Sequence, residues 1–120
     1  MDTLFLVSLI VSAVFGIGFL FIPGPMLGPF GVTLNATATT FARLFGSTLI
    51  SFAILLWFAR QSKVIMLKKG LVYSLFTYYL VSSILLVITQ LSGLMNALGW
   101  SIVGLHVILM VWFGVFLFKK

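Results

Sequence analysis

Four apolar runs, each about the length of a membrane span and parted by short breaks, restrict this chain more than any other feature. They cover residues 3–22, 36–60, 71–91 and 97–118. A span takes roughly 20 apolar residues, rising about 1.5 Å each, to cross a hydrocarbon core near 30 Å thick. Inside that core every backbone N–H and C=O must be satisfied within the protein, which makes each run a helix. The predicted fold is therefore all-α, an integral membrane bundle of four transmembrane helices in one domain, residues 1–120. The chain is 62% hydrophobic and only 7% charged, against about 45–50% apolar residues in soluble domains. Its first run lacks a basic leader and outlasts a signal-peptide core, so it reads as a retained span.

The breaks between the runs differ in kind. Pro23-Gly24-Pro25 closes the first, because proline inside a helix loses a donor and clashes with the preceding turn. The stretch 23–35 holds all the prolines and several glycines, and is expected as a turn-rich connection rather than a helix. Met26, Leu27, Phe30, Val32 and Leu34 give it an apolar side suited to the membrane interface, as a cap or as a lid over a pocket. Asn35-Ala36-Thr37 matches a glycosylation sequon, and Asn35 serves equally as the N-cap of the next helix. A polar loop carrying Arg60, Lys63, Lys68 and Lys69 is expected between spans two and three. Ser92-Gly93 opens the last connector.

Topology follows from the cations. All of the 7 lysines and arginines except Arg43 fall in the second loop or at Lys119-Lys120, which four spans put on one side. The positive-inside rule makes that side cytoplasmic. Both termini are then expected inside, in a plasma (inner) membrane, with Arg43 alone near the outer face. The net charge of +6 flanks apolar runs instead of forming a basic face, which points to anionic headgroups and not to nucleic acid.

Three small constellations could carry function. Ser8, Ser12 and Gly16 recur every four residues on one face of span one, a small-residue ridge for close helix packing, with Gly46 and Gly99 as further small contacts. In span two, Ser47 and Ser51 follow Arg43 at four-residue spacing. That row reads either as an interfacial anchor beside a packing face or as a fixed cation for the phosphate, carboxylate or carbonyl end of a lipophilic ligand. The only acid, Asp2, is expected at the opposite membrane face, so Arg43 must be neutralised by backbone carbonyls, lipid, ligand or another subunit. His106 lies about 3 Å or less from the midplane of its span. It is either an interhelical hydrogen-bond partner or an axial ligand for a haem or pigment, and a bis-His haem would need a second chain. The polar stripe of span three, Ser74, Tyr78, Ser82 and Thr89 beside Thr77, is expected to face the bundle interior.

Much chemistry is unsupported. The chain has no cysteine, one histidine and one acid, so no hydrolytic triad or metal cluster can be assembled from it. No buried carboxylate couples protons to a cationic drug, which argues against the small multidrug exporters.

Ala42-Arg43-Leu44-Phe45-Gly46, then Leu55-Leu56-Trp57-Phe58-Ala59-Arg60, and later the run from Leu91-Ser92-Gly93 to Gly99-Trp100, resemble a family of small four-span bacterial membrane proteins of unknown function. That resemblance implies a first span closed by proline, a short glycine-containing outer loop and an Ala-Arg-hydrophobic-Gly start to span two. The layout is more distantly similar to DoxX-like four-helix membrane proteins, some linked to quinone or redox complexes, and no site residue of theirs has a counterpart motif here. The expected function is a small accessory or assembly subunit without catalytic machinery, associated with other membrane subunits or with itself. The alternatives are a binder of a quinone, pigment or lipid at Arg43 or His106, and a small transporter or channel. The sequence requires no cofactor.

Overall fold

A computed structural model describes residues 1–119, all of whose long elements are helices. Four of them, α1 (Asp2–Phe21), α3 (Ala36–Gln61), α4 (Ile65–Leu91) and α5 (Gly99–Phe118), are long and apolar enough to cross a membrane. The protein is thus all-α with four helices of spanning length, as a multi-pass membrane protein requires. They associate as two helical pairs, one covering Asp2–Gln61 and the other running from Ser62 onward together with Met1.

The first pair is built around glycine. Ser8, Ser12 and Gly16 are buried on α1, and Gly46, Leu49, Ala53, Leu56 and Ala59 on α3. A Cβ on Gly46 would sit 2.6 Å from the Leu20 nitrogen and 2.7 Å from the Gly16 carbonyl oxygen; one on Gly16 would sit 3.0 Å from the Gly46 oxygen. The two backbones therefore touch, a closeness open only to glycine, and dispersion between them replaces the hydrophobic drive that lipid does not supply. Phe19 meets Phe45 edge-on at 5.5 Å beside the crossing. Further along the antiparallel pair, Leu9, Ala13, Ile54, Trp57 and Phe58 border an apolar groove of about 430 Å³.

The connection at 23–35 corrects the expectation of turns without helix. A short helix, α2 (Pro23–Leu27), continues into a 3-10 turn at Gly28–Phe30. Pro23 and Pro25 fall in its first turn, where a missing N–H costs nothing, and Met26 N–H makes the first bond back to Ile22 O at 3.0 Å. Gly31, at φ 77°, ends it: its N–H reaches Gly28 O, and Val32 N–H reaches Leu27 O. The Met26 thioether packs on Gly18, folding the segment back over the end of α1. Asn35 caps α3, its Oδ1 accepting the Ala38 N–H at 2.8 Å.

The polar segment between α3 and α4 is likewise more helical than expected. Arg60 belongs to the last turn of α3, and Lys68 and Lys69 ride on α4, which begins at Ile65. Val64 is extended before it, and nothing from Ile65 to Lys69 breaks a helix. At 27 residues α4 is about 40 Å long, so roughly two turns of it exceed a 30 Å hydrocarbon core.

In the second pair, α4 packs on α5 through Leu75, Tyr79, Ser83 and Gln90 on one helix and Val103, Leu109, Phe113 and Gly114 on the other, all buried. Tyr79 stacks on Phe113 at 5.6 Å. Gly114 accepts the edge of the Phe76 ring. At the far end Gly93 takes φ 81°, with Gly93 N–H bonded to Gln90 O and Leu94 N–H to Thr89 O, the paired bonds of a left-handed helix stop.

Candidate functional site

Arg43, Ser47 and Ser51 all lie exposed on α3, away from the glycine face that meets α1. Each serine hydroxyl is satisfied within its own helix: Ser47 donates to Leu44 O at 2.7 Å and Ser51 to Ser47 O at 3.1 Å. Thr48 donates to Leu44 O in the same way. Such bonds let a hydroxyl face lipid at little cost, yet they are readily exchanged for a partner across an interface. Arg43 forms no ion pair among the described residues. Asp2 starts α1 at the level of Arg60; since the pair is antiparallel, it stands about 25 Å along the helix axis from Arg43, far beyond ion-pair reach.

His106 sits half-buried at the centre of an aromatic group in the second pair. Its ring lies 5.6 Å from Tyr79, edge-on, and 6.3 Å from Tyr78. Nδ1 is 2.9 Å from the Ile102 carbonyl oxygen. A carbonyl only accepts, so Nδ1 carries the proton and donates, and in the neutral ring Nε2 holds the lone pair. The space that Gly99 opens is filled by Gln90, whose Nε2 donates to Asn96 O at 2.8 Å. Gly99 is thus a close contact of the Gln90 side chain, a packing position as expected.

The polar stripe of α4 is placed otherwise than expected. Ser74 and Thr77 are exposed and donate to Gly70 O and Tyr73 O of their own helix, while Tyr78, Ser82 and Thr89 are half-buried. The buried polar positions of α4 are instead Ser83 and Gln90. Ser83 Oγ and Gln90 Oε1 have no hydrogen-bond partner among the described residues. Spacing from Tyr79 would have found Ser83, one turn further on the same face, had the apolar neighbours of span three been weighted over its hydroxyls.

At the lysine-bearing end of this pair, Lys69, Val72 and Tyr73 of α4, Phe116 and Leu117 of α5 and its C-cap Lys119 border a cleft of about 300 Å³, which Met1 also lines. The Lys119 ammonium lies 5.9 Å over the Phe116 ring. The sequence predicts topology control and attraction to anionic headgroups for these lysines, but gives no sign of a cleft between two of them.

The chain matches no protein-family model, and no curated protein or solved structure shows significant similarity to it.

Proposed function

We propose that the protein is a small accessory or assembly subunit of a membrane complex, held in the inner membrane with both termini cytoplasmic, and that the outer face of α3 receives a neighbouring membrane protein. The observation that carries this reading is Arg43: an exposed cation on a helix of spanning length, about 25 Å from the one acidic side chain, Asp2, and beside a row of hydroxyls that point away from the α1 contact. An arginine at membrane depth is costly unless water, headgroups or a partner solvates it, and hydroxyl-bearing helix faces are common where spans associate. The cations at one end of the helices, Arg60, Lys63, Lys68, Lys69 and Lys119, supply the topological part by the positive-inside rule. The unknown-function family and the DoxX-like layout are compatible with this role.

Purification in mild detergent tests it. A protein recovered at fixed stoichiometry, lost on Arg43→Ala while helicity is kept and partly retained on Arg43→Lys, supports the proposal. A lone, ligand-free monomer that associates with nothing contradicts it.

A second reading has its own support. A neutral imidazole whose Nδ1 is tied to a backbone carbonyl is the arrangement by which proteins orient a ligating histidine, so His106 suits axial ligation of a pigment or haem by Nε2. The optical spectrum and lipid extract of the purified protein decide this. No bound species in either counts against it.

A further inference from the structure

The cleft between the start of α4 and the end of α5 has the chemistry of a lipid site. Two ammonium groups, Lys69 and Lys119, stand on its borders, and its remaining lining is Met1, Val72, Tyr73, Phe116 and Leu117. Among the described residues no acidic side chain lines it. Phe116 serves as wall and as ring partner of Lys119. At about 300 Å³ the cleft matches the lower end of small-molecule sites, roughly 300–1,000 Å³.

An occupant must satisfy both halves of this lining. Lysine binds phosphate as a point charge, and both lysines are exposed, so a headgroup reaches them without being desolvated deep in the protein. An inorganic anion would leave the apolar wall in water; a neutral amphiphile would leave two like charges facing each other. We infer that the cleft binds the headgroup phosphate of an anionic phospholipid between Lys69 and Lys119, with the first part of an acyl chain lying on Val72 and Phe116. Basic pockets between spans at the end that meets an anionic leaflet are known to hold such headgroups. The inference rests on membrane insertion and on the second helical pair alone, and it stands whether or not a partner docks on α3.

The test uses native mass spectrometry of the full chain in detergent, titrated with phosphatidylglycerol, phosphatidylcholine or inorganic phosphate. One phosphatidylglycerol should be retained, at least about 5-fold more tightly than phosphatidylcholine. Lys69→Gln and Lys119→Gln should each weaken it about 5-fold, as about one unit of surface electrostatic attraction per lysine requires. Phe116→Ala should also weaken it although no charge changes, and Lys63→Gln should change it less than 2-fold. Equal retention of both lipids, an unchanged Phe116→Ala, or a Lys63→Gln as damaging as Lys69→Gln would reduce the cleft to general surface charge and overturn the inference. Displacement of the lipid by inorganic phosphate would overturn it too, in favour of a free-anion site. Circular dichroism of each variant checks that the helices persist.

Discussion

Gly16 and Gly46 meet backbone to backbone, so closely that a Cβ on Gly46 would lie 2.7 Å from the Gly16 carbonyl oxygen. Gly46→Ala must push α1 and α3 apart at their crossing, because the obstructing atoms belong to the backbone and not to a flexible side chain. The expected loss is about 1–3 kcal/mol in a detergent unfolding titration. Gly104→Ala is the control: nothing lies within 4 Å of its added methyl, and alanine is the better helix former, so stability should hold or rise. Equal losses at both positions would show that the crossing is not where the first pair is held.

Tyr79 is the centre of the second pair. It is 2% exposed, stacks on Phe113 and meets the His106 ring edge-on. Tyr79→Ala should cost about 3 kcal/mol or more, the range for emptying a buried aromatic site. His106→Ala removes a half-buried ring and one hydrogen bond, and should cost about 1–2 kcal/mol. The same titration ranks the two, and the reverse order would move the centre of this pair to the imidazole.

Gly93 ends α4 at φ 81°, where a side chain is strained by about 1–2 kcal/mol. Gly93→Ala should lower stability by that amount, read again as the unfolding midpoint. Gly93→Asn, which tolerates the left-handed conformation better, should recover part of the loss.

The chain has no cysteine, so single-cysteine variants report topology without background. With both termini inside, Thr33→Cys and Leu94→Cys should react with an impermeant maleimide on intact spheroplasts, and Lys63→Cys only after permeabilisation. Labelling of Lys63→Cys from outside would invert the orientation.

Much of this architecture is legible in the sequence because lipid imposes a simple rule: apolar runs of spanning length become helices, and Ser92-Gly93 stops one where it stands. What misleads is local punctuation. Pro23 and Pro25 read as helix breakers, yet two prolines in a first turn sacrifice no hydrogen bond, so position within the turn decided the outcome. Lys68 and Lys69 read as loop because polarity marks the edge of the hydrocarbon, whereas the helix continues past that edge into the headgroups. On α4 the hydroxyls of Ser74 and Thr77 read as interior, but a hydroxyl bonded to its own helix is free to face lipid, and Tyr79 and Ser83 take the packed face instead. The cleft at Lys69 and Lys119 was hidden for a different reason. Its two cations are 50 positions apart and become neighbours only when α5 folds back on α4.

Photocrosslinking from α3 in native membranes tests the central claim most directly. A photoreactive residue in place of Ser47 or Ser51 should give one discrete adduct with a membrane protein, either this chain or another. The same residue at Val14, exposed on α1, should give none, and Arg43→Ala should abolish the adduct at Ser47. Adducts with lipid alone at Ser47, Ser51 and Val14 alike would show that the exposed face of α3 meets only the bilayer.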